Sequence, residues 1–424
     1  MDLARLWVGI DWGVEFHQVC VLDAEGKSLE QRKFFHTSAS LMEMVAWLTA
    51  LAKGEPRSAF VAIERPHGAI VELLLQHDMS VHSLNPKQLD RFRDRHTVAG
   101  AKDDRRDAFV LADSLRTDSD AFSRLRIEDS IVVNMREMIR VDEDLRIEEN
   151  GLQNRLREQL LRYFPAMLTL IADRADPFLW SLLELAHNHD DALSLSEETI
   201  AALLRKYRLR RLTVEKVRAA FQTPKLQVSQ ATINAASAHL QLLIPRLRLV
   251  HLQRQHCGQK IEAFLQQLAC AVVPLNDGEE PRPPRLADVE ILQSLPGVGR
   301  IVVATMLVEA VGPIARRDLH GIRTLGGIAP VTRRSGKQNL KVMRRACNAR
   351  LRYALYHWGR TAMQRDPLTK HHYTQLRAKG HSHGRALRGV VDRLLSVAIA
   401  MLKSHTRYDP SQRQRSAKLV SLTP

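Results

Sequence analysis

LWVGIDWG, residues 6–13, is an apolar run that ends in an acid and a glycine turn. Its length and flanks suit a buried strand, with Asp11 at the C-terminal end. The residues that follow extend the pattern outward. HQVCVLD (17–23), an AEGK turn and SLEQRKFF (28–35) predict a hairpin. SASLMEMVAWLTALA (38–52) has helical periodicity, SAFVAIE (58–64) is another buried strand, GAIVELLLQHD (68–78) a helix, and SVHSLNP (80–86) a strand ending at a proline. AKDDRRDA (101–108) then opens a helical stretch, FVLADSL. The order βββαβαβα over residues 1–125 predicts an α/β domain, a mixed sheet with helices on its faces.

The whole chain has 424 residues, enough for two or three domains. Hydrophobic content of 45% with 26% charged residues suits a folded, water-soluble chain, and no apolar run approaches a membrane span. No membrane partner is expected. The start, MDLARLWVGID, lacks a basic stretch followed by an apolar signal core, so a cytoplasmic, nucleoid-associated location is expected. Cys20, Cys257, Cys270 and Cys347 are scattered and read as reduced packing residues.

Charge is unevenly placed. From Pro313 to the end there are 24 Lys and Arg against four Asp and no Glu, a net +20, whereas residues 1–312 sum to −4. A polyanion-binding surface is therefore concentrated in the last quarter, and its arginine bias suits phosphate. Nucleic acid is the expected partner.

Beyond about Ile131 the pattern becomes long helices. Leu145, Leu152, Leu156, Leu160 and Tyr163 recur at helical spacings, as do Leu240, Leu243, Ile244, Leu247 and Val250, then Ile261, Phe264, Leu265 and Leu268. A helical or coiled-coil arm over 126–273 with an insertion at about 165–230 fits both runs; its seams could serve internal packing or a dimer contact. PLNDGEEPRPPR lies in a linker at 274–286. A basic, mainly α-helical domain is expected over 287–410, and a polar tail over 411–424.

Four acids stand out. Asp11 and Glu64 end strands, and Asp104 and Asp107 lie one helical turn apart on one face. Hard oxygen ligands from several rigid elements are what a pair of divalent ions needs, and two ions about 3.5–4 Å apart can serve both oxygens of a phosphodiester displacement. Taken singly, Asp107 could be an ordinary polar position, and Asp103 or Asp104 a helix cap. Glu64 and Asp11 end apolar strands, where an unpartnered carboxylate carries a desolvation cost. The GIDWG turn also resembles the phosphate turn of actin-like and sugar-kinase ATPases, but their second turn and glycine-rich adenosine site have no counterpart here.

In the basic region, ILQSLPGVGRIVVATMLVEAVG (291–312) reads as helix, tight turn and helix, similar to a helix-hairpin-helix that offers backbone amides to a phosphate; a plain helix connector reads equally well. In LGGIAPVTRRSGKQ (325–338), Ser335 follows Arg333 and Arg334 and precedes Lys337, Lys341, Arg344 and Arg345. That charge could hold a phosphate beside a serine nucleophile, although a serine in a polar loop is ordinarily a turn residue.

The order GID, AIE, K-x-D-x-x-D-A (Lys102, Asp104, Asp107, Ala108), charged helical arm, LPGVG, GG-I-A-P, S-G-K and RYDP resembles the DEDD transposases of bacterial insertion sequences. That family includes the Piv/MooV invertases and recombinases guided by a bridge RNA. The resemblance covers almost the whole chain outside the helical insertion. It implies a RuvC-like, ribonuclease-H-type N-terminal domain with Mg²⁺, or Mn²⁺ in its place, on Asp11, Glu64, Asp104 and Asp107. It also implies Ser335 as a nucleophile forming a phosphoserine link to DNA, with acids and serine in a composite site and no need for ATP. Implied partners are double-stranded DNA at element ends and target, a guide RNA, and further copies of the chain as a homo-dimer or tetramer. The family usually has a small residue where this chain has Asp103, and the arm is longer here. Other readings are a RuvC-like nuclease using water and a non-catalytic nucleic-acid-binding assembly protein.

Overall fold

The computed structural model describes residues 5–84, 88–92, 103–126, 129–170, 176–270, 286–335 and 338–411. The chain divides into two compact units, Met1–Asp129 and Ser130–Pro424. Among the described residues no helix is long and apolar enough to cross a membrane.

The first unit is built on a six-stranded mixed sheet. Its strands are β1 (Leu6–Trp12), β2 (Phe16–Leu22), β3 (Ser28–Phe35), β4 (Ala59–Ile63), β5 (Ser80–Ser83) and β6 (Ser123–Arg124), in the spatial order β3-β2-β1-β4-β5-β6. The first three pair antiparallel, β1, β4 and β5 are parallel, and β6 returns antiparallel to β5. The two-residue β6 is too short for side-chain alternation to announce it in the sequence.

Alternation sorts the two faces. Val8 and Ile10 of β1, with Val61 and Ile63 of β4, pack on helices α1 (Ser38–Leu51) and α2 (Ala69–Gln76) through Met44, Leu48, Ile70 and Leu74. The alternate residues, Trp7, Phe60, Ala62, Cys20 and Leu22, meet helix α3 (Asp104–Thr117) on the other face. Gly9 lets that helix come close: a Cβ there would lie 1.9 Å from the Ala108 carbonyl oxygen and 2.6 Å from the Ala112 nitrogen. Glycine on the strand and alanines on the helix thus hold α3 against β1, which positions Asp107, next to Ala108.

The second unit begins with α4 (Ser130–Tyr163) and α9 (Gln230–Cys270), an antiparallel helix pair. Their seam residues are buried within this chain: Leu152, Leu156 and Leu160 pack with Leu240, Leu243, Leu247 and Val250. Between them, α5 (Pro177–Leu185), α6 (His189–Ser194), α7 (Glu197–Lys206) and α8 (Val214–Phe221) fold onto one end of the pair around Phe164, Phe178, Trp180 and Phe221. At the other end Met135, Ile139, Ile261 and Leu265 enter the core of the C-terminal helices, so arm and C-terminal region share one hydrophobic cluster.

Those helices are α10 (Asp288–Gln293), α11 (Arg300–Glu309), α12 (Val311–Ala315), α13 (Leu319–Leu325), α14 (Ala349–Arg365), α15 (Pro367–Ala378) and α16 (His383–Ser404). Between α13 and α14 runs a two-stranded antiparallel ribbon, β7 (Val331–Ser335) and β8 (Gln338–Val342), where the sequence reads as a polar loop. β7 (VTRRS) carries two adjacent arginines, and β8 (QNLKV) offers only Leu340 and Val342 in alternation, too short a pattern to announce the ribbon in the sequence. The linker stretch PLNDGEEPRPPR and most of the tail lie outside the described residues.

An ionic cluster crosses the helix pair. Glu149, 2% exposed, accepts from His251 Nδ1 at 2.9 Å and from Arg254, which also reaches Asp142 at 3.4 Å; Arg246 meets Glu148 at 3.3 Å. A buried carboxylate stripped of its cation is costly. Arg254→Met is therefore expected to destabilise the helix pair by about 3–5 kcal/mol, and a further Glu149→Leu to recover part of that. Denaturant midpoints of the single and double variants check this; equal loss in both would mean packing, not charge, is what Arg254 supplies.

Candidate active site

Asp11 and Glu64 are brought together by strand register. β1 and β4 are parallel neighbours with Ile10 opposite Ile63, so Asp11 and Glu64 are the next residue on each at the C-terminal end of the sheet. Both have the parity of Gly9 and Ala62, the face that α3 covers. Asp107 lies on that helix and is 2% exposed, its side chain on the face that also buries Ala108, Val110, Leu111 and Leu115. Three of the four expected acids thus come to one end and one face of the sheet. Asp104, one turn earlier, is exposed. Among the described residues no three His, Cys, Asp or Glu side chains converge closely enough to hold an ion. Like-charged carboxylates repel unless a cation compensates them, so backbone placement and side-chain convergence are separate matters. Asp, Glu, Asp and Asp offer only oxygen donors, the set that suits Mg²⁺ or Mn²⁺.

Asp103 has a different place. It is the N-cap of α3, in extended conformation, and its carboxylate accepts from the Arg105 backbone N–H at 3.2 Å. Arg105 and Arg106 are exposed.

Two residues beside the acids escaped the sequence reading. Gln18 is the register partner of Asp11 on β2, shares its face, and is 6% exposed. Arg65 follows Glu64 and stacks its guanidinium over the Trp12 ring at 3.9 Å, so a fixed cation stands beside the strand ends. The available signal was adjacency: a polar residue inside an apolar strand, and a W and an R directly after the two acids.

Ser335 is the last residue of β7, paired with Gln338 across the ribbon tip. The side chains of Arg333 and Ser335, and Lys337 entirely, lie outside the described residues. Arg334, Lys341 and Arg345 are exposed, while Arg344 is partly buried with its Nε lacking a hydrogen-bond partner among the described residues. The ribbon therefore carries cations on both strands and Ser335 beside its turn.

The LPGVG turn has a packing role. Gly297 has φ +67°, and a Cβ on it would lie 2.5 Å from the Ala362 nitrogen, while the Pro296 carbonyl accepts from Trp358 Nε1 at 3.1 Å. Its proline and first glycine are thus used in seating the turn on α14. Gly326 and Gly327 likewise abut Leu355 and Cys347. Near the end, the Tyr408 N–H donates to Ser294 Oγ at 2.9 Å, tying RYDP back to α10.

Comparison with known proteins covers both units. Residues 8–165 match the family model of DEDD transposases of the IS110 type, and residues 289–374 match that of the IS116/IS110/IS902 transposase family. A putative transposase, y4uE, of Sinorhizobium fredii is 46% identical over 211 residues, half of this chain and 59% of that relative's length. The mini-circle putative transposase for IS117 of Streptomyces coelicolor is 27% identical over 417 residues, 96% of each chain. An uncharacterized 42 kDa protein of insertion element IS900 from Mycobacterium paratuberculosis is 26% identical over 96% of this chain and 98% of its own.

Proposed function

This chain belongs to the IS110/IS116 family of insertion-sequence transposases, with a ribonuclease-H-like DEDD domain, and on that premise we propose that it cuts and rejoins DNA at its element's ends through Ser335. In the proposed reaction Ser335 Oγ loses its proton and attacks the scissile phosphorus. The bond from phosphorus to the sugar oxygen breaks, and that oxygen leaves as a hydroxyl with the proton. The serine phosphodiester keeps the bond energy, so a DNA hydroxyl can later displace the serine with no need for ATP. Mg²⁺ or Mn²⁺ held by Asp11, Glu64, Asp104 and Asp107 would supply charge compensation at the attacking and leaving oxygens. Arg333, Arg334, Lys337, Lys341, Arg344 and Arg345 hold nucleic-acid backbone in this reading, and double-stranded DNA, a guide RNA and further copies of the chain, as dimer or tetramer, are its proposed partners.

The reading is supported above all by the placement of Asp11, Glu64 and Asp107 at one end and face of the sheet. Its test is incubation with element-end DNA, the flanking noncoding transcript and Mg²⁺, followed by denaturing electrophoresis. A protein–DNA adduct is the expected result. Cleavage with no adduct would mean that water is the nucleophile, and binding without cleavage under any metal would mean an assembly protein.

Binding should be strongly salt-dependent. If the six cations each neutralise one phosphate, affinity falls about 10³-fold between 50 and 200 mM salt, with a log–log slope near −5. Titration by fluorescence anisotropy reads the slope, and charge removal at Arg334 and Lys341 together should make it shallower by about two. An unchanged slope would remove the ribbon from the DNA contact.

A further inference from the structure

At the foot of the ribbon that ends in Ser335 lies a cavity of about 490 Å³. It is lined by Arg352, Tyr353 and Tyr356 of α14, Arg388 of α16, and Met343 and Gly327, which flank the ribbon. Tyr353 and Tyr356 are three apart on one helix and expose 44% and 41% of their surface. The Arg146 guanidinium sits 5.0 Å from the Tyr353 ring centre, so cation and ring are already paired. Each tyrosine also meets the edge of His357, at 4.3 and 5.4 Å, which restrains both rings.

The cations are short of counter-charge. Glu143, the acid at the cavity, is taken by Arg350 at 2.8 Å. Among the described residues Arg352 has no ion pair and Arg388 donates only to the Met343 sulfur, at 3.2 Å, a weak acceptor. Burial and the neighbouring Arg385 push the Arg388 guanidinium below its ordinary value. A partly buried guanidinium without a carboxylate calls for an anion from outside. Exposed aromatic faces beside such cations are the features with which proteins hold unpaired nucleotides: ring on ring, phosphate on arginine.

We propose that this cavity holds one unstacked nucleobase of a nucleic-acid strand, its plane against Tyr353 and Tyr356 and its phosphate on Arg352 and Arg388. The strand is the one whose phosphate Ser335 attacks, which rests on the reading above. From the foot of the ribbon to Ser335 is four residues of strand, about 13 Å. For a strand stacked at about 3.4 Å per nucleotide that is roughly four steps, so the captured base lies about four nucleotides from the scissile phosphate. Holding it out of the stack fixes the strand's register on the ribbon.

The test needs no cleavage, so it stands or falls apart from the nucleophile. Single-stranded 12-mers carrying one 2-aminopurine, in DNA and RNA forms, are titrated with the full chain and read by anisotropy and by quenching; a duplex 12-mer is the control. Tyr353→Ala and Tyr356→Ala should each weaken single-strand binding about 5- to 150-fold and lose the quenching, with duplex affinity moving less than twofold. Tyr356→Phe keeps the ring and should stay within twofold. Gly384→Leu should fill the cavity and reproduce the loss without removing ring or charge, since a Cβ at Gly384 meets only Arg388, at 3.7 Å. Loss on the DNA form, alone or together with the RNA form, supports the proposal, and loss confined to the RNA form overturns the assignment to the attacked strand. Single-strand affinity within twofold of wild type in all these variants, or equal loss on single strand and duplex, overturns the proposal.

Discussion

Asp107→Asn is expected to reduce DNA strand cleavage by about 10³-fold or more while DNA binding and helix content stay near wild type. Asparagine matches aspartate in volume, so the tight packing of α3 on β1 around Gly9 and Ala108 is kept. On the proposed reading, what disappears is one negative oxygen from the set that would hold divalent cations. Several kcal/mol of transition-state stabilisation pass through such a set, and each 1.36 kcal/mol is a decade in rate. Asp11→Asn and Glu64→Gln should fall into the same range, because strand register puts them at the same end of the sheet. Asp103→Asn should leave activity within about tenfold, since asparagine caps a helix as well as aspartate does, and Asp103→Ala should cost about 1 kcal/mol of stability. Cleavage rates and melting temperatures of the set separate the two roles. If Asp103→Asn abolished cleavage while Asp104→Asn did not, the ligand would be the neighbour.

Ser335→Ala should abolish the protein–DNA adduct altogether and lower strand exchange by a factor on the order of 10⁴–10⁶, the scale on which removing a covalent nucleophile acts. Binding of element-end DNA should be unchanged, because the hydroxyl adds little to the phosphate contacts of the surrounding cations. Ser335 is the end residue of β7, paired with Gln338 across the turn, so a methyl group there should not disturb the ribbon. Adduct persisting in Ser335→Ala would remove this serine from the chemistry. Cleavage persisting without adduct, in variant and wild type alike, would assign the attack to water.

Much of the first unit was legible because its signals are local. Continuous apolar runs in LWVGIDWG and SAFVAIE marked two buried strands, and the turn residues of AEGK closed the hairpin. The acids were legible as strand-end and helix-start residues. The shared placement of Asp11 and Glu64 at one end and face of the sheet was not, because the pairing of β1 with β4 spans about fifty residues and a one-residue slip would turn one of them to the other face. The ribbon was hidden by the shortness of its strands and the charge of β7. LPGVG read as a phosphate turn or a plain helix connector, and its proline and first glycine are used in packing against α14, a role set by residues far away in the chain.

By itself the sequence determined the mixed α/β start, the two long helices, the +20 balance of the last quarter and the types of residue available for chemistry. These follow from period, composition and turn chemistry, which each residue carries locally. Only the tertiary structure decided that Asp103 caps α3 while Asp107 turns to the sheet, that Gln18 and Arg65 stand beside Asp11 and Glu64, and that Tyr353, Tyr356 and Arg388 share a cavity. The physical reason is that proximity between distant segments is set by which apolar faces must be covered, and the uncovered polar residues are carried along to wherever that packing leaves them.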